Sequence, residues 1–249
     1  MHDNSKQISA DLLSLVSKTK DIEEAILETQ RTPKLDLTIH SYDPMQRNVA
    51  RFHYQWERTE LFGREKELEL LQEFIKPSTD GGNDISWWLW VGPGGSGKSR
   101  IAQELCLHAR LNGYRAGFLR QEPETVDFQN WKVQQPTLLV IDYVSNKAKA
   151  TRKAIANLAR NCDNIQAPMR ILLLERHAEQ DLDQWWSDFR GGTGDEKTFV
   201  NQTTRYNAEP NPFPIAKLPQ HALDQIAYSI FDEMQIDIPD IEQLRKICR

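Results

Sequence analysis

Long apolar runs are missing from this chain. No stretch of roughly 18 uncharged apolar residues occurs, and no basic segment followed by an apolar one opens the N-terminus, so neither a membrane span nor a secretory leader is expected. Cysteine is scarce: Cys106, Cys162 and Cys248 are odd in number, widely spaced and without metal-ligand spacing. That usage fits free thiols in a reducing cytosol, and a cytoplasmic location is expected. The six histidines form neither H-x-x-H nor H-E-x-x-H, which argues against zinc. No nucleophile–His–Asp set can be assembled. An excess of positive charge is also lacking; the net charge of −5 does not indicate a nucleic-acid surface. With 249 residues, 39% of them apolar, the chain suits one α/β domain with appendages rather than two full domains.

What is present is concentrated in one octapeptide. Gly92-Pro93-Gly94-Gly95-Ser96-Gly97-Lys98-Ser99 is a complete G-x-x-x-x-G-K-[ST] phosphate-binding loop, with Arg100 next in line. Its glycines allow successive backbone N–H groups to face one anion. Lys98 is expected to reach the β- and γ-phosphates and the Ser99 hydroxyl to ligate Mg²⁺, making ATP or ADP with Mg²⁺ the expected ligands. The context agrees. Ile85 to Val91 is a short apolar run suited to a buried parallel strand. Arg100 to Asn112 has apolar residues at helical spacing, ending before Gly113 as a C-cap, and its N-terminal dipole favours the same anion.

A second landmark lies about 45 residues on, where Pro136-Thr137-Leu138-Leu139-Val140-Ile141-Asp142 has the form of a Walker B strand. Its terminal carboxylate suits a hard cation, commonly through water, so Asp142 is expected beside Ser99 in the metal shell. Tyr143, not a second acid, follows.

Along the rest of the chain, Ser5 to about Gln30 reads as a helix whose Ile8, Leu12, Leu15, Thr19, Ile22, Ile26 and Thr29 form a heptad seam. It is expected to dock on a neighbouring domain or subunit, giving a protein partner or self-association; an autonomous coil is the alternative. Thr32-Pro33 and Asp43-Pro44 break helical continuity and leave Leu35 to Trp56 as an irregular connector. The segment from Thr59 opens a helix running to about Ile75. Further strands are expected at Arg115 to Leu119, Met169 to Leu174 and Phe213 to Lys217. Further helices are expected at Lys147 to Asn161, Asp181 to Phe189 and Ala222 to Met234, with irregular structure or a short helix over Gln121 to Gln135. Gly191 to Gly194 reads as a flexible insert. Trp87, Trp88 and Trp90 alternate along their strand and read as packing against two helical layers rather than as a base-stacking platform. The alternation of strands and helices predicts a three-layer α/β/α fold of the P-loop NTPase class. Its central sheet is mostly parallel, with an N-terminal helical extension over 1–58, the nucleotide-binding domain over 59–218 and the start of a helical lid over 219–249.

These landmarks resemble the STAND branch of AAA+-related P-loop ATPases, signal-transducing switches of bacterial defence, antiphage defence among them, and of innate immunity. Leu61-Phe62-Gly63-Arg64-Glu65 followed by Leu68 resembles the Phe-x-Gly-Arg-x-x-Glu-Leu segment of that branch. Leu138 to Tyr143 resembles its Leu-Val-Ile-Asp-Tyr form of Walker B, Arg170 to Arg176 its sensor strand, and Ile215-Ala216-Lys217-Leu218-Pro219 its exit into the lid. The resemblance implies that Phe62, Gly63 and Arg64 lie along adenine and ribose and that Arg176 senses the γ-phosphate. Many hydrolysing relatives carry a Glu where Tyr143 stands; Glu175 is a candidate to position water instead, a salt bridge to Arg176 or a neighbour being the other reading. His177, beside them, is the one histidine near the expected crevice. The Gly-x-Pro lid motif is absent and Ile241 to Arg249 reads as mid-helix, so the resemblance implies a truncated form or a compact regulator that borrows its sensing surface. A regulated ATP switch with slow or absent hydrolysis is the leading reading. A nucleotide-bound scaffold, a P-loop kinase (for which only Arg190 lies near the insert) and a DNA-handling AAA+ protein are the alternatives.

Overall fold

In the computed structural model, described for residues 18, 32–37, 61–78, 84–178, 183–191, 194–203 and 212–233, two apolar layers grow from the two faces of one sheet. The strands are β1 (Leu35–Asp36), β2 (Ile85–Val91), β3 (Arg115–Leu119), β4 (Thr137–Asp142), β5 (Met169–Glu175) and β6 (Phe213–Pro214). Their order across the sheet is β1-β3-β4-β5-β2-β6. Every neighbouring pair is parallel except β1 with β3. The helices are α1 (Glu65–Ile75), α2 (Lys98–Leu111), α3 (Ala148–Arg160), α4 (Gln184–Arg190), α5 (Asp195–Gln202) and α6 (Gln220–Glu233). This is the α/β architecture expected from the alternating pattern. No helix among the described residues is long and apolar enough to cross a membrane.

The sequence of β2 explains the two layers. Successive strand residues point to opposite faces, so Trp87 and Leu89 join Ile171, Leu173, Ile155 and Phe189 on one side. Trp88 and Trp90 join Leu71, Phe74, Ile101 and Leu105 on the other. Trp88 and Trp90 meet edge to face at 5.1 Å, and Phe213 of β6 stacks on Trp90 at 4.4 Å. The tryptophans are core, as their alternation predicts.

Parallel pairing then gathers residues far apart in sequence at one sheet edge. In register, Val91 of β2 lies opposite Glu175 of β5, and Leu174 lies opposite Asp142 of β4. The loop that follows β2, the end of β4 and the end of β5 therefore meet at the carboxyl ends of three adjacent strands, where open α/β sheets place their ligand crevices.

Three elements departed from expectation. Leu35 and Asp36 fall in the segment read as an irregular connector, yet they pair antiparallel with Leu119 and Phe118, and Arg120 bonds the Asp36 carboxylate at 3.0 Å. A strand of two residues leaves no periodicity to detect. Helix α5, between the Gly191–Gly194 insert and β6, has a polar sequence; tertiary contacts hold it. The Trp87 indole donates to Val200 O at 2.7 Å, Trp87 N donates to Thr203 O, and Arg152 of α3 bonds Glu196 at 3.1 Å. The final strand is also shorter than the expected Phe213 to Lys217. Apart from Lys18, the expected N-terminal helix lies outside the described residues, as do Gly192-Thr193 and the segment Ile241 to Arg249.

Candidate nucleotide site

The loop between β2 and α2 follows its residue types. Gly95 and Gly97 adopt left-handed backbone, φ 78° and 88°, which L side chains rarely tolerate. Gly97 is the N-cap of α2 and makes no side-chain cap, leaving the first-turn N–H groups of a 14-residue helix directed at the loop. Pro93, Gly94 and Gly95 are exposed, whereas Gly92 and Ser96 are buried. The Lys98 ammonium lies back along this loop, donating to Gly92 O at 2.5 Å and Pro93 O at 3.1 Å. Burial lowers its pKa from the usual lysine value; the Asp142 and Glu175 carboxylates oppose that shift and Arg176 adds to it. Lys98 at the head of α2, Asp142 at the end of β4, and Glu175 and Arg176 at the end of β5 thus share one field.

Ser99 and Asp142 are brought together as expected. The Ser99 hydroxyl donates to Asp142 Oδ2 at 2.7 Å, and Tyr143 N donates to Asp142 Oδ1 at 2.9 Å. A hydroxyl and a carboxylate oxygen side by side are two hard donors, a set that fits Mg²⁺ when phosphate and water complete the shell. Among the described residues no cluster of three or more His, Cys, Asp or Glu could hold a metal by itself, so an ion here would depend on the nucleotide. Asp142→Asn keeps the size and removes the charge. The expected result is that the Mg²⁺-dependent gain in ATP affinity shrinks while metal-free ADP binding changes little, measured by titration with and without chelator. Equal loss of both ligands without metal would make Asp142 a folding residue.

Glu175 has a role that spacing did not disclose. It is 5% exposed, and its carboxylate is held by main chain: Oε2 accepts from Ser145 N and Oε1 from Arg176 N, each at 2.7 Å. The salt bridge to Arg176 entertained from sequence is replaced by these two N–H donors. Arg176 is exposed at the same strand end, and His177 turns to Asp183 at 2.8 Å. Tyr143, half exposed at 53%, is the single non-glycine residue with positive φ among the described residues, at φ 54° and ψ 54°. Such a backbone costs on the order of 1–2 kcal/mol.

The Leu61–Arg64 segment lies against the loop, but Arg64 itself faces inward. Arg64 is 3% exposed; its guanidinium donates to Ser96 O at 2.9 Å and Ala216 O at 2.7 Å and pairs with Glu67 at 2.6 Å. It clamps the phosphate loop to the segment after β6. A Cβ on Gly63 would lie 2.6 Å from Ala222 Cβ, so Gly63 rests on the start of α6. Phe62 is half-buried beside them. Arg100 pairs with Glu104 at 2.6 Å along its own helix. The residue that sequence reasoning missed is Arg170. It sits at the far end of β5, 3% exposed, donating to Phe74 O and Asp84 O at 2.9 Å and to Lys76 O at 2.6 Å. An arginine inside an apolar strand was the available signal.

No family model matches the chain, and no curated protein does. Among solved structures it is similar to a DNA replication initiation factor, with 13% identity and a TM-score of 0.44 over 71% of this chain and 53% of that one. It is similar to AMPPCP-bound DnaA from Aquifex aeolicus, with 14% identity and a TM-score of 0.41 over 78% of this chain and 58% of that one. Domain III of the Thermotoga maritima replication initiation protein DnaA gives 11% identity and a TM-score of 0.46 over 78% of each chain. The chain thus spans little more than half of the first two. At these low scores the nucleotide assignment rests on the loop's own geometry.

Proposed function

We propose that this chain is an ATP-binding regulatory switch of the STAND type within the AAA+-related P-loop ATPases, taking Mg-ATP or ADP at the Gly92–Ser99 loop. The observation that carries the nucleotide reading is the Ser99–Asp142 hydrogen bond of 2.7 Å, formed across two strand ends at the head of α2. In that reading, loop N–H groups and Lys98 hold the phosphates, Ser99 and Asp142 support the metal, and Arg176 reads the γ-phosphate. Mg²⁺ would neutralise phosphate charge. The switch reading is supported by Arg64, whose guanidinium joins the phosphate loop to the segment leading into α6. A shift of the loop on exchange of ATP for ADP would change those contacts, and differential contacts in two ligand states are what a switch requires.

Assembly is proposed to run through the N-terminal segment. The helix expected there from the heptad spacing would be marginal alone and would need a docking surface. Deleting residues 1–30 should leave nucleotide binding intact and abolish self-association or partner binding, read by sizing with ATP and with ADP. Loss of nucleotide binding in a soluble deletion would show that this segment belongs to the core of its own domain, and the assembly proposal would fall.

A further inference from the structure

We propose that Glu175 supplies the water-activating carboxylate of a slow ATPase, the task that residue 143 cannot perform in this chain. The inference rests on the nucleotide reading above. Three observations carry it. Residue 143 is a half-exposed tyrosine in left-handed backbone, so no carboxylate directly follows Asp142 to take a water proton. Glu175 ends β5, the strand between β2 and β4; its main-chain carbonyl accepts from Gly92 N of the phosphate loop at 3.2 Å, and its carboxylate accepts from Ser145 N, three residues past Asp142. It is near enough to Lys98 to stabilise the ammonium that would hold the β/γ-phosphates.

The hydrogen bonds of Glu175 leave it equipped for the task. An ionised carboxylate offers about four acceptor sites. Ser145 N and Arg176 N take one on each oxygen, which fixes the carboxylate's orientation and leaves capacity to accept from a water. In the step, the water oxygen bonds to the γ-phosphorus and the bond from that phosphorus to the β–γ bridging oxygen breaks. ADP departs with the bridging oxygen. One water proton passes to Glu175 and is released to solvent as phosphate leaves; the other stays on phosphate. The Ser145 contact ties the same carboxylate to the strained turn at Tyr143, so the group that would orient the water also holds that turn in place.

The test compares the full-length parent with Glu175→Gln and Glu175→Asp, measuring single-turnover ATP hydrolysis, ATP affinity and thermal unfolding. The expected result for Glu175→Gln is a loss of turnover of about 100-fold or more, with ATP affinity within about threefold of the parent. If Glu175→Gln does not fold, Glu175→Asp carries the test, since it keeps the charge but withdraws it by one methylene; turnover should fall about tenfold or more with affinity retained. Adding Tyr143→Glu to Glu175→Gln should not restore turnover. Unchanged turnover, rescue by Tyr143→Glu, or parallel loss of affinity and stability in both variants would reduce Glu175 to a structural latch and overturn the proposal. A parent that binds ATP without hydrolysing it overturns this proposal alone; a parent that binds no ATP overturns the nucleotide reading and this one with it.

Discussion

Lys98→Ala should weaken ATP binding by about 2–4 kcal/mol, roughly 30- to 1,000-fold, while the circular dichroism spectrum and unfolding midpoint stay close to those of the parent. The asymmetry follows from what Lys98 touches. Its protein partners are the exposed Pro93 O and the part-buried Gly92 O, with the Ser96 hydroxyl at 3.5 Å, and its own side chain is only half-buried. Losing the ammonium leaves acceptors that water can reach, so the fold loses little. The phosphates, by contrast, lose a cation held in a partly buried field where charge–charge interactions are stronger than in water. Isothermal titration of both proteins decides the matter: equal affinities would remove the phosphate-loop assignment. Affinity should also decline as pH rises toward the lowered pKa of Lys98, because only the protonated amine attracts phosphate.

Arg170→Ala should cost about 3–5 kcal/mol of folding stability. Arg170 lies opposite Ser86 of β2 and Leu138 of β4, in the middle of the sheet. Its guanidinium donates to Phe74 O in the last turn of α1 and to Lys76 O just beyond it. It also pairs with Asp84 at 2.5 Å. Tyr114 adds a donor to Ile75 O beside them, and burial raises that phenol's pKa. Removing the arginine would take a donor from the buried Phe74 carbonyl and the cation from Asp84, so denaturant unfolding should show a large fall in midpoint at nearly constant slope. A change below about 1 kcal/mol would mean that water or another cation replaces it. Nucleotide affinity of the folded fraction should be preserved, since Arg170 stands at the opposite end of β5 from Glu175.

Where the chain repeats a strong local pattern, its structure can be read from sequence. The β2 tryptophans, the Thr137–Asp142 strand and the α2 periodicity each specify one conformation, and the pairing of Ser99 with Asp142 followed from two motifs that share one cation in known chemistry. Gly113, expected as a C-cap, has φ 81° and donates to Arg110 O at 3.1 Å. What escaped depends on partners distant in sequence. Strand β1 exists only because β3 offers it an edge, and α5 only because Trp87 and Arg152 reach across to it. The same limit governed the site. Residue type and position brought Arg64 beside the loop, but its burial and its carbonyl partners at Ser96 and Ala216 arise from three segments converging. Glu175 could be flagged at a strand end, while the choice between a salt bridge and main-chain donors was fixed by the turn after Asp142, where Ser145 N presents itself. Cys106, one of three scattered thiols in sequence, is buried on α2 with its pKa pushed up to about 12, an inert core residue.

The Gly92–Ser99 loop is proposed to bind the polyphosphate of a nucleotide. The most direct measurement is displacement of a fluorescent ATP analogue from the purified full-length chain by ATP, ADP and AMP in the presence of Mg²⁺. Displacement by ATP and ADP and none by AMP is expected over the same concentration range, because the loop, Lys98 and Ser99 act on β- and γ-phosphates that AMP lacks. Failure of the analogue to bind, or displacement by AMP as effective as by ATP, would contradict it.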